Sequence, residues 1–292
     1  MVAVLPLYVW STRPLRVLRF LGHPIGCQLG PICGPDRRGD AARALLAALD
    51  DVRWDVFLGE GVSADEGWAG LLRASIWATT PNPVLRLDFS DWDDYLSSCS
   101  ANFRQQLRRK ERKLARDHAI RYRHAADPAR LQQDLDTLFA LHGERWIEER
   151  SAFGGGVAES FHREFASVAL ERGWLRLWFL EVDGVAVAAW YGFRFQGIET
   201  YYQLGRARAW EKSSVGLLIV AHSVREALAD GIEEYRFGPG GGSYKYRFTE
   251  EDPGLQWITL PGSRAGRLAL ATGATLQNNR LVRKMLKKSF NV

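Results

Sequence analysis

The sequence predicts an α+β fold made of two tandem lobes of one topology. Each lobe is a mixed sheet flanked by helices, and the first lobe is incomplete. Three observations carry this expectation. The second half alternates helix-period and strand-period segments around a Gly-rich break. The first half repeats the same succession of meander, helix, strand, helix, strand, which argues for α+β layering in both. A strongly basic helical segment separates the two. With 292 residues, 46% of them hydrophobic, the chain can bury one large core or two small ones. The expected parts are an incomplete first lobe over 1–100, a basic connecting helix over 101–125, a second lobe with the active site over 126–261, and a basic helical tail over 262–292.

The elements of the first lobe come in order. Strands are expected at Leu5 to Trp10, Leu15 to Phe20 and Ile25 to Leu29. A helix at Ala41 to Leu49, a strand at Trp54 to Leu58, a helix at Ala64 to Arg73 and a strand at Val84 to Asp88 follow. No basic leader precedes the first apolar stretch, so it reads as an edge strand and not as a secretory signal. A lobe that begins on a strand lacks the two helices that open the second, which suggests a shortened member or a missing segment.

The second lobe opens on Leu131, Leu135, Leu138, Phe139, His142 and Trp146, which share one helical face. Glycines 154 to 156 break the pattern, and Phe161, Phe165, Val168 and Ala169 mark a second helix. Strands at Leu175 to Val182, Val185 to Phe195 and Ile198 to Leu204 are joined by Asp183-Gly184 and Gln196-Gly197, the two-residue signature of tight hairpins. Ser213 or Ser214 then caps a helix that buries Leu217, Val220, Ala221, Val224 and Leu228. A short strand, Glu233 to Phe237, enters the run Gly238-Pro-Gly-Gly-Gly242. Tyr244 to Phe248 forms a helical turn, and Leu255 to Leu260 is the last strand.

Charge is confined to two segments. The net charge is +5, yet Arg104 to Asp117 alone carries +5 and the segment from Gly262 onward carries +7, so the remainder is acidic. On the connecting helix the apolar positions are Phe103, Leu107 and Leu114. Its basic face reads either as a solvated surface or as a site for an acidic glycan, an anionic membrane surface or tRNA. The tail (Arg280, Arg283, Lys284, Lys287, Lys288) is similar and would lie on an anionic membrane or on the protein itself. No apolar run reaches the roughly 18 residues that span a bilayer. Three cysteines without metal-ligand spacing read as buried thiols in a reducing compartment, which makes the expected location cytoplasmic and the expected metal count zero.

Four stretches, taken together, resemble a known family. They are Asn102-Phe-Arg-Gln-Gln-Leu-Arg-Arg-Lys-Glu-Arg-Lys-Leu114, Leu141-His-Gly-Glu-Arg-Trp146, Leu180-Glu-Val-Asp-Gly-Val-Ala-Val-Ala188, and Gly231 through Gly238 followed by Tyr244-Lys245-x-x-Phe248. Their order and spacing resemble the GNAT-type acyltransferases grouped with the cellulose-biosynthesis acetyltransferase (CelD/BcsL) proteins, relatives of the Fem peptidyltransferases. The resemblance implies GNAT-like lobes and transfer of an acyl group from a thioester such as acetyl-CoA. The chain departs from the family at its pyrophosphate loop: Arg206-Ala-Arg-Ala-Trp-Glu-Lys-Ser-Ser-Val-Gly216 keeps one glycine only, at the helix start.

Within that resemblance the residues take roles. The helix N-terminus formed by Ser213, Ser214, Val215 and Gly216 would meet the donor's pyrophosphate, because unpaired N–H groups and the helix dipole favour an anion. Arg206, Arg208 and Lys212 would add charge-assisted contacts. Tyr244, or Tyr246, would protonate the departing thiolate, and Lys245 would orient the carbonyl or bind an acidic acceptor. Glu199, Glu144 and His142 are candidates for the base, with Glu199 taken first. His142, Arg145, Trp146, Gly240 and Gly241 would line the acceptor side. The expected acceptor is an amine or hydroxyl of a sugar or cell-envelope precursor. The alternatives are a Fem-like transfer from aminoacyl-tRNA and a non-catalytic binding module.

Overall fold

The structure is a computed structural model that describes residues 3–23, 25–145, 152–154 and 156–277. In chain order the elements are β1 (Leu7–Ser11), β2 (Val17–Phe20), α1 (Arg38–Asp50), β3 (Val56–Ser63), α2 (Trp68–Leu71), β4 (Ser75–Thr80), β5 (Val84–Arg86), α3 (Trp92–Ser98), α4 (Ala101–Asp117), β6 (Ile120–His124), α5 (Leu131–Arg145), α6 (Val157–Glu171), β7 (Leu175–Val182), β8 (Val185–Phe195), β9 (Ile198–Arg206), α7 (Val215–Ala229), β10 (Glu234–Arg236), β11 (Leu255–Pro261) and α8 (Arg264–Gln277). Trp146 and the basic tail residues from 278 onward lie outside the described residues. The chain folds into two compact units. One comprises 1–82, 239–241 and 252–292; the other comprises 83–238 and 242–251.

The first unit is built on a five-stranded mixed sheet in the order β1-β2-β3-β11-β4. β2 and β3 run parallel and every other neighbouring pair is antiparallel. Phe20 and Phe57, packed edge to face, join Leu45, Leu49, Trp68, Leu72 and Ile258 in its core. The fully buried rings of Phe20, Phe57 and Trp68 add large apolar surfaces to this core.

The second unit carries a six-stranded mixed sheet in the order β5-β10-β9-β8-β7-β6. α5 and α6 pack on one face, over Leu135, Leu138, Phe179 and Tyr191. α7 packs on the other, over Trp190, Tyr201 and Tyr235, and α4 lays Phe103, Leu107 and Leu114 against that same core. Helix α4 begins where Ser100 accepts the Phe103 N–H and α3 begins where Asp91 accepts the Asp94 N–H, both ordinary side-chain caps. The β7–β8 and β8–β9 turns place Asp183, Gly184, Gln196 and Gly197 at positive φ, the conformation that tight hairpins demand.

Several elements differ from the sequence expectation. Leu255–Pro261 pairs with β3 and β4 of the first sheet, and Val84–Arg86 pairs with β10 of the second. These two strands exchange the places that chain order suggested, because hydrogen-bond partners are set by tertiary packing and not by sequence proximity. Ile25 to Leu29 is no strand, and Ala64 to Arg73 is a 3-10 turn followed by the single-turn α2. β6 was not expected, although Ile120 and Tyr122 alternate with Arg121 and Arg123. The cysteines are half-buried, not buried.

Candidate active site

The site is organised by the way β9 leaves β10. The parallel pairing ends at Thr200 and Arg236, while β9 continues to Arg206. Beyond it the chain turns at Gly238, at φ +73, where a Cβ would lie 2.9 Å from the Tyr201 carbonyl. Only glycine fits so close to that strand. Opposite β8, Gly192 pairs with Tyr201 and Tyr191 with Gln203, so Tyr202 is an extra residue in a bulge. A one-residue slip reverses facing. Tyr201, Leu204 and Arg206 therefore all reach the α7 side, while Tyr202 and Gln203 reach α6 and α5.

On the α7 side these residues line a cleft of about 280 Å³ with Gln106, Lys110, Ser214, Gly216, Leu217, Val220, Tyr244 and Arg247. Lys110, Arg206 and Arg247 are the cations of the lining, and no carboxylate lines it among the described residues. The α7 N-terminus opens into this space. Ser214 stands at φ 59, and its carbonyl accepts the Leu217 and Leu218 N–H groups. The Val215 and Gly216 N–H groups therefore have no acceptor within the helix, the usual state of a first turn. A Cβ on Gly216 would meet Arg206 Cδ at 3.4 Å and Leu204 at 3.5 Å, so the arginine stem runs directly beneath the helix start.

The lead-in to α7 is a 3-10 turn over Arg208–Ser213. Arg206 donates to Glu211 at 2.8 Å. Arg208 is turned away toward α5, donating its backbone N–H to the Glu144 carboxylate and its Nε to the Glu144 carbonyl. Lys212 is exposed, and its carbonyl accepts Lys110 Nζ at 2.9 Å. The structure thus brings Arg206, Ser214, Val215 and Gly216 together and leaves Arg208, Lys212 and Ser213 off the cleft wall.

Tyr244 lies on the cleft wall and Tyr246 is exposed. Lys245 is buried, donating to the Gly238 carbonyl at 2.8 Å, so it holds the turn that parts the strands. Glu199 is 0% exposed and ion-paired to Arg194 at 2.6 Å; Arg194 in turn holds Asp230 at the C-cap of α7. Burial raises the Glu199 carboxyl above its ordinary range, against the lowering by Arg194. The fifteen residues of α7 separate that end from Ser214 by about 24 Å. Glu199 is therefore held in an ion pair, two residues along β9 from Tyr201 of the cleft wall.

His142 is also buried, with Nε2 3.1 Å from Gln203 Oε1, on the α5 face of β9. Glu144 is exposed and engaged with Arg208. Arg145 ends α5, while Gly240 and Gly241 belong to the first unit. Sequence reasoning missed Gln106, Lys110, Tyr201 and Arg247. The signal for Arg247 was its place three residues past Tyr244. Lys110 was read as part of one uniform basic face, but it lines the cleft and its Nζ donates to the Lys212 carbonyl. Arg247 lies over the Phe103 ring, 4.7 Å from its centre, and donates to Gln106; burial lowers its pKa.

A profile of the acetyltransferase (GNAT) domain family matches residues 101–246, half of the chain, and the chain belongs to that family. No curated protein matches it. Among solved structures, FemX superposes with a TM-score of 0.60 at 11% identity, covering 87% of this chain and 83% of that one. L-PGS from Bacillus licheniformis gives 0.58 at 12%, covering 90% and 83%. The DUF2156 domain of an Agrobacterium fabrum protein gives 0.56 at 12%, covering 89% and 81%. At these identities the likeness is one of fold. No described helix is long and apolar enough to cross a membrane.

Proposed function

We propose that the second unit transfers a short acyl group, acetyl in the simplest case, from a phosphopantetheine thioester such as acetyl-CoA to an amine or hydroxyl of a sugar or cell-envelope precursor, as in the CelD/BcsL-type acyltransferases. One observation carries the reading: a cleft with cations at one end, a helix N-terminus opening into it, apolar walls along it and a tyrosine within it. The Val215 and Gly216 amides, Arg206 and Lys110 take a phosphate. Leu204, Leu217 and Val220 pack along an apolar arm. The acceptor lone pair attacks the carbonyl carbon, the carbon–sulfur bond breaks, and the thiolate takes the proton of the Tyr244 hydroxyl. The acceptor proton leaves to water, which returns one to the Tyr244 phenolate, since Glu199 and His142 are both engaged with other residues. Lys245 acts by holding the Gly238 turn.

Titration calorimetry with acetyl-CoA tests this. Micromolar binding is expected, lost in Ser214→Asp and Gly216→Glu, which put a carboxylate at the helix N-terminus. No binding to folded protein by acetyl-CoA or longer acyl donors would sink the reading. A Fem-like transfer from aminoacyl-tRNA is the second reading, favoured by the basic wall that α4 gives the cleft. It expects tight RNA binding that falls steeply with salt.

A further inference from the structure

The cleft holds about 280 Å³ between its walls and is open to solvent. Its anion end is partly satisfied from within: Glu211 sits 2.8 Å from Arg206, and one glycine stands where a spaced set would wrap a diphosphate. That leaves Lys110, Arg247 and the α7 amides to hold phosphate. Lys110 spends one of its three donors on Lys212 and keeps two.

The outer wall is α4, and its charges are not uniform. Gln106 and Lys110 face the cleft. At 3.6 residues per turn the next positions outward are Lys113, Arg109 and Arg116, all exposed. On the opposite flank the cations are already engaged: Arg104 with the Leu96, Ser97 and Cys99 carbonyls that end α3, and Arg108 with Asp93 at 3.0 Å. Among the described residues neither Arg109 nor Lys113 has a carboxylate within ion-pair distance. Arg116 pairs only with its neighbour Asp117. A basic stripe two turns long, about 10 Å, therefore runs beside the cleft.

We infer that this stripe docks an acidic carrier protein that presents the acyl group on a phosphopantetheine arm. This rests on the thioester-donor reading above. The arm enters past Lys110, which takes its single phosphodiester, and the thioester reaches Tyr244. A carrier's acidic helix pairs with Arg109, Lys113 and Arg116, and complementary charge mainly speeds encounter and sets partner choice. The stripe has no exposed aromatic on which bases could stack, which favours an acidic protein over single-stranded nucleic acid.

The test compares full-length protein with the variant Arg109→Glu/Lys113→Glu. The probes are an acidic acyl carrier protein bearing acetyl-phosphopantetheine, its apo form, and acetyl-CoA, each titrated at two salt concentrations. The inference expects the loaded carrier to bind at least tenfold more tightly than apo carrier, and the double variant to weaken it at least tenfold while acetyl-CoA affinity holds. Equal losses for carrier and acetyl-CoA would assign the stripe to the nucleotide's own phosphate and overturn the inference. Binding of acetyl-CoA without any carrier binding would overturn it too and leave the donor reading standing. Failure of both thioesters would remove the donor reading itself. Carrier affinity unchanged in the double variant would overturn the inference as well.

Discussion

The two faces of β9 both carry polar aromatic and basic chemistry, yet the described residues form a packed cluster on one and line a cleft on the other. Toward α5 and α6, Tyr202 and Gln203 meet His162 and His142 in a packed cluster around Phe153. Toward α7, Tyr201, Leu204 and Arg206 face a cleft. The bulge at Tyr202 sends neighbouring residues to opposite fates. Polar residues on a strand do not by themselves mark a site; unfilled space beside a source of positive field does. The ends of α7 repeat the contrast, with an ion-pair network at Asp230 and a first turn at Ser214 that opens into the cleft.

The sharpest way to break the comparison is at the ion-pair end. Arg194→Leu leaves Glu199, at 0% exposure, without its main partner, and breaking a buried pair costs about 3–5 kcal/mol. Chemical denaturation should show that loss, while acetyl-CoA affinity of the remaining folded protein stays unchanged. A stability change under 1 kcal/mol would mean that Arg176, 4.0 Å away, suffices as partner. The cleft side gives the opposite pattern. Tyr244→Phe should lower turnover about 100-fold, the lower end of general-acid effects, with donor affinity held. A drop in affinity with turnover intact would make Tyr244 a wall and not an acid.

How much of this was legible in sequence follows from the same physics. The hairpins at Asp183-Gly184 and Gln196-Gly197 were legible because positive φ selects those residues locally. Helix α7 was legible from its apolar period. The exchange of β5 and β11 was not, since a three-residue strand and a seven-residue strand carry no partner information. The bulge was hidden because plain alternation puts Tyr202 and Gln203 on opposite faces. Glu199 looked like a base because a lone carboxylate at a strand start says nothing of Arg194, which pairs with it across a hairpin. Lys110 was invisible as a cleft residue because all of α4's cations look alike until its packed stripe is placed against α7.

Two glycines sharpen the comparison at lower cost. A Cβ at Gly205 would sit 2.5 Å from the His142 backbone nitrogen on the packed face; one at Gly216 would make ordinary contacts on the cleft face. Gly205→Ala should cost about 1–3 kcal/mol by overpacking, and Gly216→Ala should leave the melting temperature nearly unchanged. Equal shifts in the two variants would show that the α5 face yields as readily as the cleft.

The smallest effect concerns the proton inventory of the packed face. His162 is 1% exposed, between the Tyr191 and Tyr202 hydroxyls, and burial lowers its pKa from 6.5 to about 4. A histidine that is harder to protonate when folded stabilises the fold fully above the unfolded value, and that contribution fades as pH falls from about 6.5 toward 4. Between pH 7 and pH 6 the loss is about 0.7 kcal/mol, since in that window only the unfolded chain takes up the proton. His124 and His222, lowered to about 4 and about 3, act with the same sign. His162→Gln should therefore remove its share of the slope and leave the rest. A slope unchanged by that substitution would mean that His162 takes up its proton at the same pH folded and unfolded, and a steeper slope would mean that the ring keeps its proton inside the cluster.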